Sequence, residues 1–203
     1  MSSSLWDRIE QARAKWNVLE HPFYVRWTAG ELSREELAEY SGQYRHATNA
    51  IATLAGEIRD QLPGRDELRS HAREEESHVE LWDGFVDAVG GSRDARPTPE
   101  TAACVEAWTA AGGPLPALGR MYAIESGQPE ISRVKRDGLA SFYGIDGGPG
   151  TDYFRVHEQR DREHADEARR LIEEAMGPGD EDAIVAAAEM AFRANWRLLD
   201  GVS

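Results

Sequence analysis

The segment YFRVHEQRDREHADEARRLIEE constrains this chain more than any other, because it puts ionisable side chains where a helix ordinarily buries apolar ones. His157 and Asp161 are four residues apart, and Asp161 and His164 three. At about 3.6 residues per turn all three fall within roughly 60° of one another on a helix. Phe154, Ala168 and Leu171 continue the same face, which turns it toward an interior, while Glu158, Arg162 and Glu163 are ordinary surface residues. A histidine, carboxylate, histidine row facing a core is half of a metal site. The segment alone is equally compatible with a solvated, charge-laced helix, so other ligands have to decide.

They are present. In HAREEESHVELWDGFVDAV, Glu75 and His78 are three apart, and Leu81, Phe85 and Val86 continue beside them as an apolar stripe. Glu125 follows the apolar run Met121-Tyr122-Ala123-Ile124 and is drawn inward with it. A buried unpaired charge costs on the order of several kcal/mol, so three inward carboxylates ask for compensating cations, which two divalent ions supply. Glu, Asp and His donors suit iron or manganese; Cys104 is the only cysteine, so no thiolate cluster or disulfide is available. Helical bundles house such centres by projecting Glu and Glu-x-x-His groups inward, and Glu75-Glu76-Ser77-His78 has that spacing.

The rest of the chain reads as all-α. Strand signals are nearly absent, Ser33-Arg34-Glu35-Glu36 is a capping box, and Thr98-Pro99 sets a cap before a first-turn proline. Gly90-Gly91, the Gly144 to Gly150 stretch and Gly177-Pro178-Gly179 break helical patterns. Helices are expected near 4–18, 34–61, 66–89, 99–111, 115–126, 129–143, 151–176 and 180–200, with a short turn around 22–28, in one domain spanning 1–203. Asp and Glu number 37 against 23 Lys and Arg, a formal charge of −14 that repels nucleic acid and anionic membrane surfaces. No apolar run approaches a membrane span, and MSSSLWDRIEQ lacks the apolar stretch of a secretion signal, so a cytoplasmic location is expected. Lysine occurs only at Lys15 and Lys135.

Taken in order, EHPFYVRWTAGELSREELAEY, the acidic helix ending ESHVELW, YAIESGQPEISRVKRDGL and YFRVHEQRDREHADEARRLIEE resemble the haem-oxygenase-like dimetal oxidases over most of the chain. The resemblance implies a bundle of about seven to eight helices. It also implies six ligands, Glu75, His78, Glu125, His157, Asp161 and His164, holding Fe/Fe or Fe/Mn, with O₂ as co-substrate and a reductant as partner. Its members carry a short insertion between the first carboxylate and its histidine that ESH lacks, which leaves Glu74 and His71 as alternatives to Glu75. One branch is implicated in making para-aminobenzoate for folate from its own tyrosine and lysine, and those residues match Tyr24, Tyr40 and Lys135. Other branches oxidise external small molecules such as amino acids or fatty acids, or hydrolyse thiamin-like compounds with a cysteine, for which Cys104 is the candidate; one relative is named as an interaction module. His21 and His46 lie outside the ligand rows. A homodimer is compatible with this reading.

Overall fold

The start and stop signals in the sequence are used as helix boundaries in the computed structural model, which describes residues 4–202. Ser33 and Glu36 form the expected capping box, a second joins Ser4 and Asp7, and the Thr98 side chain accepts from the Thr101 amide. These set α1 (Leu5–Lys15), α3 (Arg34–Gln61) and α5 (Pro99–Trp108). The other helices are α2 (Pro22–Ala29), α4 (Asp66–Val89), α6 (Pro114–Glu125), α7 (Gln128–Gly138), α8 (Pro149–Ala175) and α9 (Glu181–Asp200). No strand occurs among the described residues, and no helix of theirs is long and apolar enough to cross a membrane.

Three of the departures from the expected boundaries have a clear local reason; α5, expected to run to 111, ends at Trp108. The turn expected over 22–28 is the helix α2: the His21 side chain accepts from the Phe23 amide, Pro22 takes the first turn, and Gly30 closes the helix at φ 70°. The first helix stops at Lys15, because Asn17 caps a separate 3₁₀ turn at Val18–Glu20. The helix expected over 129–143 is α7 followed by a π-helical turn, Leu139–Tyr143. At that junction Gly138 lies against the Trp27 indole, where a Cβ would sit 2.5 Å from Nε1. The same indole donates to the Lys135 carbonyl at 3.3 Å, fixing α2 on α7.

The helix α8 packs against α4, α6 and α7, so every segment with a candidate ligand or amine meets it. Apolar burial holds this arrangement: Trp27, Trp82, Trp108, Phe85 and Phe154 are fully buried, and α3 packs across α4 through Tyr40, Tyr44 and Trp82. Gly84 lets α4 reach the start of α8, since a Cβ there would meet the Pro149 carbonyl oxygen at 2.7 Å. Backbone cannot yield as a flexible side chain can. Gly84→Ala therefore lowers stability by about 1–3 kcal/mol in chemical denaturation, despite alanine's better helix propensity.

Candidate metal centre

Seven ligand-type side chains converge between α4, α6 and α8, all buried: His71, Glu75 and His78 from α4, Glu125 from the end of α6, and His157, Asp161 and His164 from α8. Positions 71, 75 and 78, like 157, 161 and 164, repeat at intervals of four and three, so one helical face delivers each trio. Among the described residues two groups have ligand atoms mutually within 4.8 Å: His71, Glu75, Glu125 and His164, and Glu75, His78 and His157. Glu75 belongs to both. Asp161 adjoins the second, with His157 Nδ1 at 2.8 Å from its Oδ2.

The side chains pair only partly with one another. His71 Nε2 lies 2.7 Å from Glu125 Oε1 and His78 Nδ1 3.0 Å from Glu75 Oε1. Burial opposes ionisation of Glu125, but His71 and His164 outweigh it and hold the carboxyl down to about 2. Burial likewise opposes a charge on His71, yet Glu125 and Glu75 lift it to about 9. Asp161 goes the other way: burial raises it despite His157, with Glu125 and Glu75 adding repulsion. Glu75 Oε2, Glu125 Oε2, His157 Nε2 and both ring nitrogens of His164 are buried with no hydrogen-bond partner among the described residues. Buried polar atoms are ordinarily satisfied, so these unused lone pairs, converging from carboxylates and imidazoles, fit a pair of divalent cations.

The structure brings all six sequence-designated ligands to this cluster, and the alternatives separate. His71 joins the cluster beside Glu75 instead of replacing it, whereas Glu74 belongs to neither group and pairs with Arg160. His21 caps α2 and meets Asp200, and His46 meets the Ala95 carbonyl; both stand apart from the cluster. Cys104 is buried, and burial pushes its thiol up, away from the thiolate a nucleophile needs.

Tyr24, Tyr40 and Lys135 form a second buried group. The Tyr24 and Tyr40 hydroxyls are 3.4 Å apart. Lys135 Nζ lies 5.9 and 5.4 Å from their ring centroids, 4.6 Å from that of Tyr44, 5.3 Å from that of Trp82 and 5.2 Å from that of Phe154. It has no hydrogen-bond partner among the described residues. Aromatic rings join the two groups, Trp82 contacting both Tyr40 and Tyr153, and Tyr153 lying 4.0 Å from the His157 ring. Tyr44, Trp82 and Tyr153 were not singled out in the sequence; the spacing of four in Tyr40/Tyr44 and Tyr153/His157 was the available signal.

The architecture is that of the haem-oxygenase-like helical proteins. A domain of unknown function with a heme oxygenase-like fold from Shewanella denitrificans superimposes with a TM-score of 0.78 at 24% identity, over 95% of this chain and 89% of its own. The family model for iron-containing redox enzymes matches residues 39–196, and the chain belongs to that family, as an oxidoreductase. It is similar to the 4-aminobenzoate synthase of Nitrosomonas europaea, 32% identical over 97% of this chain and 88% of that protein. It is also 28% identical to the protein of the same name from Chlamydia muridarum, over 98% of this chain and 90% of that one.

Burial pushes the Lys135 amine from 10.5 down to about 7. Between about 7 and 10.5 the unfolded chain holds a proton that the folded chain has released, so this residue makes stability rise with pH across that window and costs most below it. Lys135→Met therefore stabilises the fold by a few kcal/mol at pH 7, at about 1.4 kcal/mol per unit of displacement. In denaturant melts at a series of pH values, that gain shrinks toward pH 10.

Proposed function

We propose that the chain is a 4-aminobenzoate synthase that makes its product from its own Tyr24 and Lys135. The names of the Nitrosomonas and Chlamydia relatives support this reading, and one observation carries it: the fully buried Lys135 amine lies without a hydrogen-bond partner among the described residues, against the rings of Tyr24 and Tyr40. His71, Glu75, Glu125 and His164 would hold one metal ion, and Glu75, His78 and His157, with Asp161 beside them, the other. Bound there, iron paired with iron or with manganese would supply O₂ activation and oxidation of a phenol, given a reductant.

The product dictates the bonds. The ring and Cβ of a tyrosine become the ring and carboxyl carbon of 4-aminobenzoate, so the Cα–Cβ bond breaks and Cβ is oxidised at the expense of O₂. Nζ replaces the phenolic oxygen, which leaves as water from the oxidised ring, and hydrolysis of the Cε–Nζ bond leaves Lys135 as an aldehyde whose two electrons pass to the ring. Lys135 is suited to donate that nitrogen because burial leaves a large fraction of it neutral near pH 7, with its lone pair free. Burial holds both phenols well above the ordinary tyrosine range, so Tyr24 has to lose a proton together with an electron. The Tyr40 oxygen, 3.4 Å away, is placed to take that proton. Tyr44, Trp82 and Phe154 exclude water from around the amine, and tethering the ring to the chain removes the entropy cost of capturing a substrate.

Metal-free protein loaded with iron, or iron and manganese, and given O₂ and a reductant releases 4-aminobenzoate, and intact-mass spectrometry finds a matching population of chains that have lost mass at Tyr24. Tyr24→Phe and Lys135→Arg release none. Wild-type chains that keep their full mass while consuming O₂ on an added small molecule would show instead an oxidase of external substrates.

The ligand assignment has its own measurement. Elemental analysis finds two first-row metal ions per wild-type chain, and at least one fewer in His157→Ala or Asp161→Ala. A double variant that stays fully metallated removes these two residues from the ligand set.

A further inference from the structure

Glu74 precedes Glu75 by one residue, and that step turns it off the face that carries the metal cluster. Its carboxylate is gripped by Arg160 of α8, with Arg160 nitrogens at 2.9, 3.1 and 3.2 Å from its oxygens, and by the Ser70 hydroxyl, which donates at 3.1 Å. The same carboxylate reaches the ring of His164. Glu74 Oε2 is 3.4 Å from His164 Nε2, an electrostatic contact not aligned as a hydrogen bond, while Nδ1 of that ring faces the cluster, 3.6 Å from Glu125 Oε1, 3.9 Å from Glu75 Oε1 and 4.0 Å from Asp161 Oδ1. The ring also stacks on His71, with centroids 3.9 Å apart.

We infer that Glu74, clamped by Arg160, is a positioning residue that fixes His164 with Nδ1 toward the metal centre; the inference rests on the metal-centre reading above. A neutral imidazole carries its proton on either nitrogen, and only the unprotonated one can bind a cation. A carboxylate beside Nε2 favours the tautomer with the proton on Nε2, which leaves the Nδ1 lone pair for the cluster. Arg160, which also pairs with Glu163, gives Glu74 a cation and ties it to α8, so the carboxylate stays on the outer edge of the ring. Two neighbouring glutamates thus take different tasks, Glu75 among the cluster ligands and Glu74 behind one of them.

The test is an anaerobic Co(II) titration of the full-length, metal-free protein, read by visible d–d absorption and by bound metal after dialysis. Wild type takes up two equivalents; fewer would overturn the metal-centre reading and this inference with it. Glu74→Ala still takes up two equivalents at saturation, binds one of them about 10- to 100-fold more weakly, and shifts that ion's d–d bands. Glu74→Gln, whose amide keeps an oxygen dipole beside Nε2, returns affinity and spectrum toward wild type. Two results overturn the inference while the metal-centre reading stands. In one, Glu74→Ala matches wild type in both affinity and spectrum, so the contact is inert. In the other, Glu74→Ala and Glu74→Gln each lose one equivalent, which makes Glu74 a ligand.

Discussion

The fold is organised around the cost of removing three carboxylates from water. Glu75, Glu125 and Asp161 are 1–2% exposed, and four imidazoles surround them. Ionised carboxylates in so dry a setting are strongly unfavourable unless cations face them, and the imidazoles offset the charge only in part. The three helices that bring these groups together are therefore held by features remote from the chemistry. Gly84 permits close approach of α4 to α8, the Arg160–Glu74 pair crosses the same interface, and the Trp82, Phe85 and Phe154 rings fill the space behind it.

Lys135 poses the converse problem, a lone amine enclosed by aromatic faces. Five rings lie within 6 Å of it, and no carboxylate forms an ion pair with it among the described residues. The interior thus separates two environments, one rich in anionic donors and one apolar and nearly uncharged, with Trp82 and Tyr153 between them. Basicity is lowered in the second for the same reason that cations are invited into the first: desolvation disfavours any charge that lacks a counterpart.

Much of this was written in the sequence at helical spacing. Periods of three and four put His157, Asp161 and His164 on one face, and the capping residues marked where long helices begin. The choice among His71, Glu74 and Glu75 was not legible in the same way. Spacing puts 71, 75 and 78 on one face, so His71 and Glu75 were never exclusive alternatives, but which inward residues meet another helix depends on how α4 and α8 cross. The helix α2 was missed because its cap is a histidine, outside the usual Ser, Thr, Asp and Asn signals. The end of α7 was missed because Gly138 answers to Trp27, a residue more than a hundred positions away.

The setting of Tyr24 bears on the fate of the chain once it has reacted. The ring is 2% exposed and packs against Phe23, Trp27 and Tyr40, on a helix of only eight residues. On the proposed reaction, cleavage at Cα–Cβ leaves a glycine-like residue in that short helix and an empty space where an aromatic ring had been. Loss of a large buried aromatic side chain typically costs about 3–5 kcal/mol, and a glycine inside a helix roughly another 1. A penalty of that size is a large part of the stability of an ordinary domain, and it raises the unfolded population that cellular proteases sample. The spent chain would then be marked by its own weakened core, and its amino acids would return to synthesis without a dedicated recognition signal.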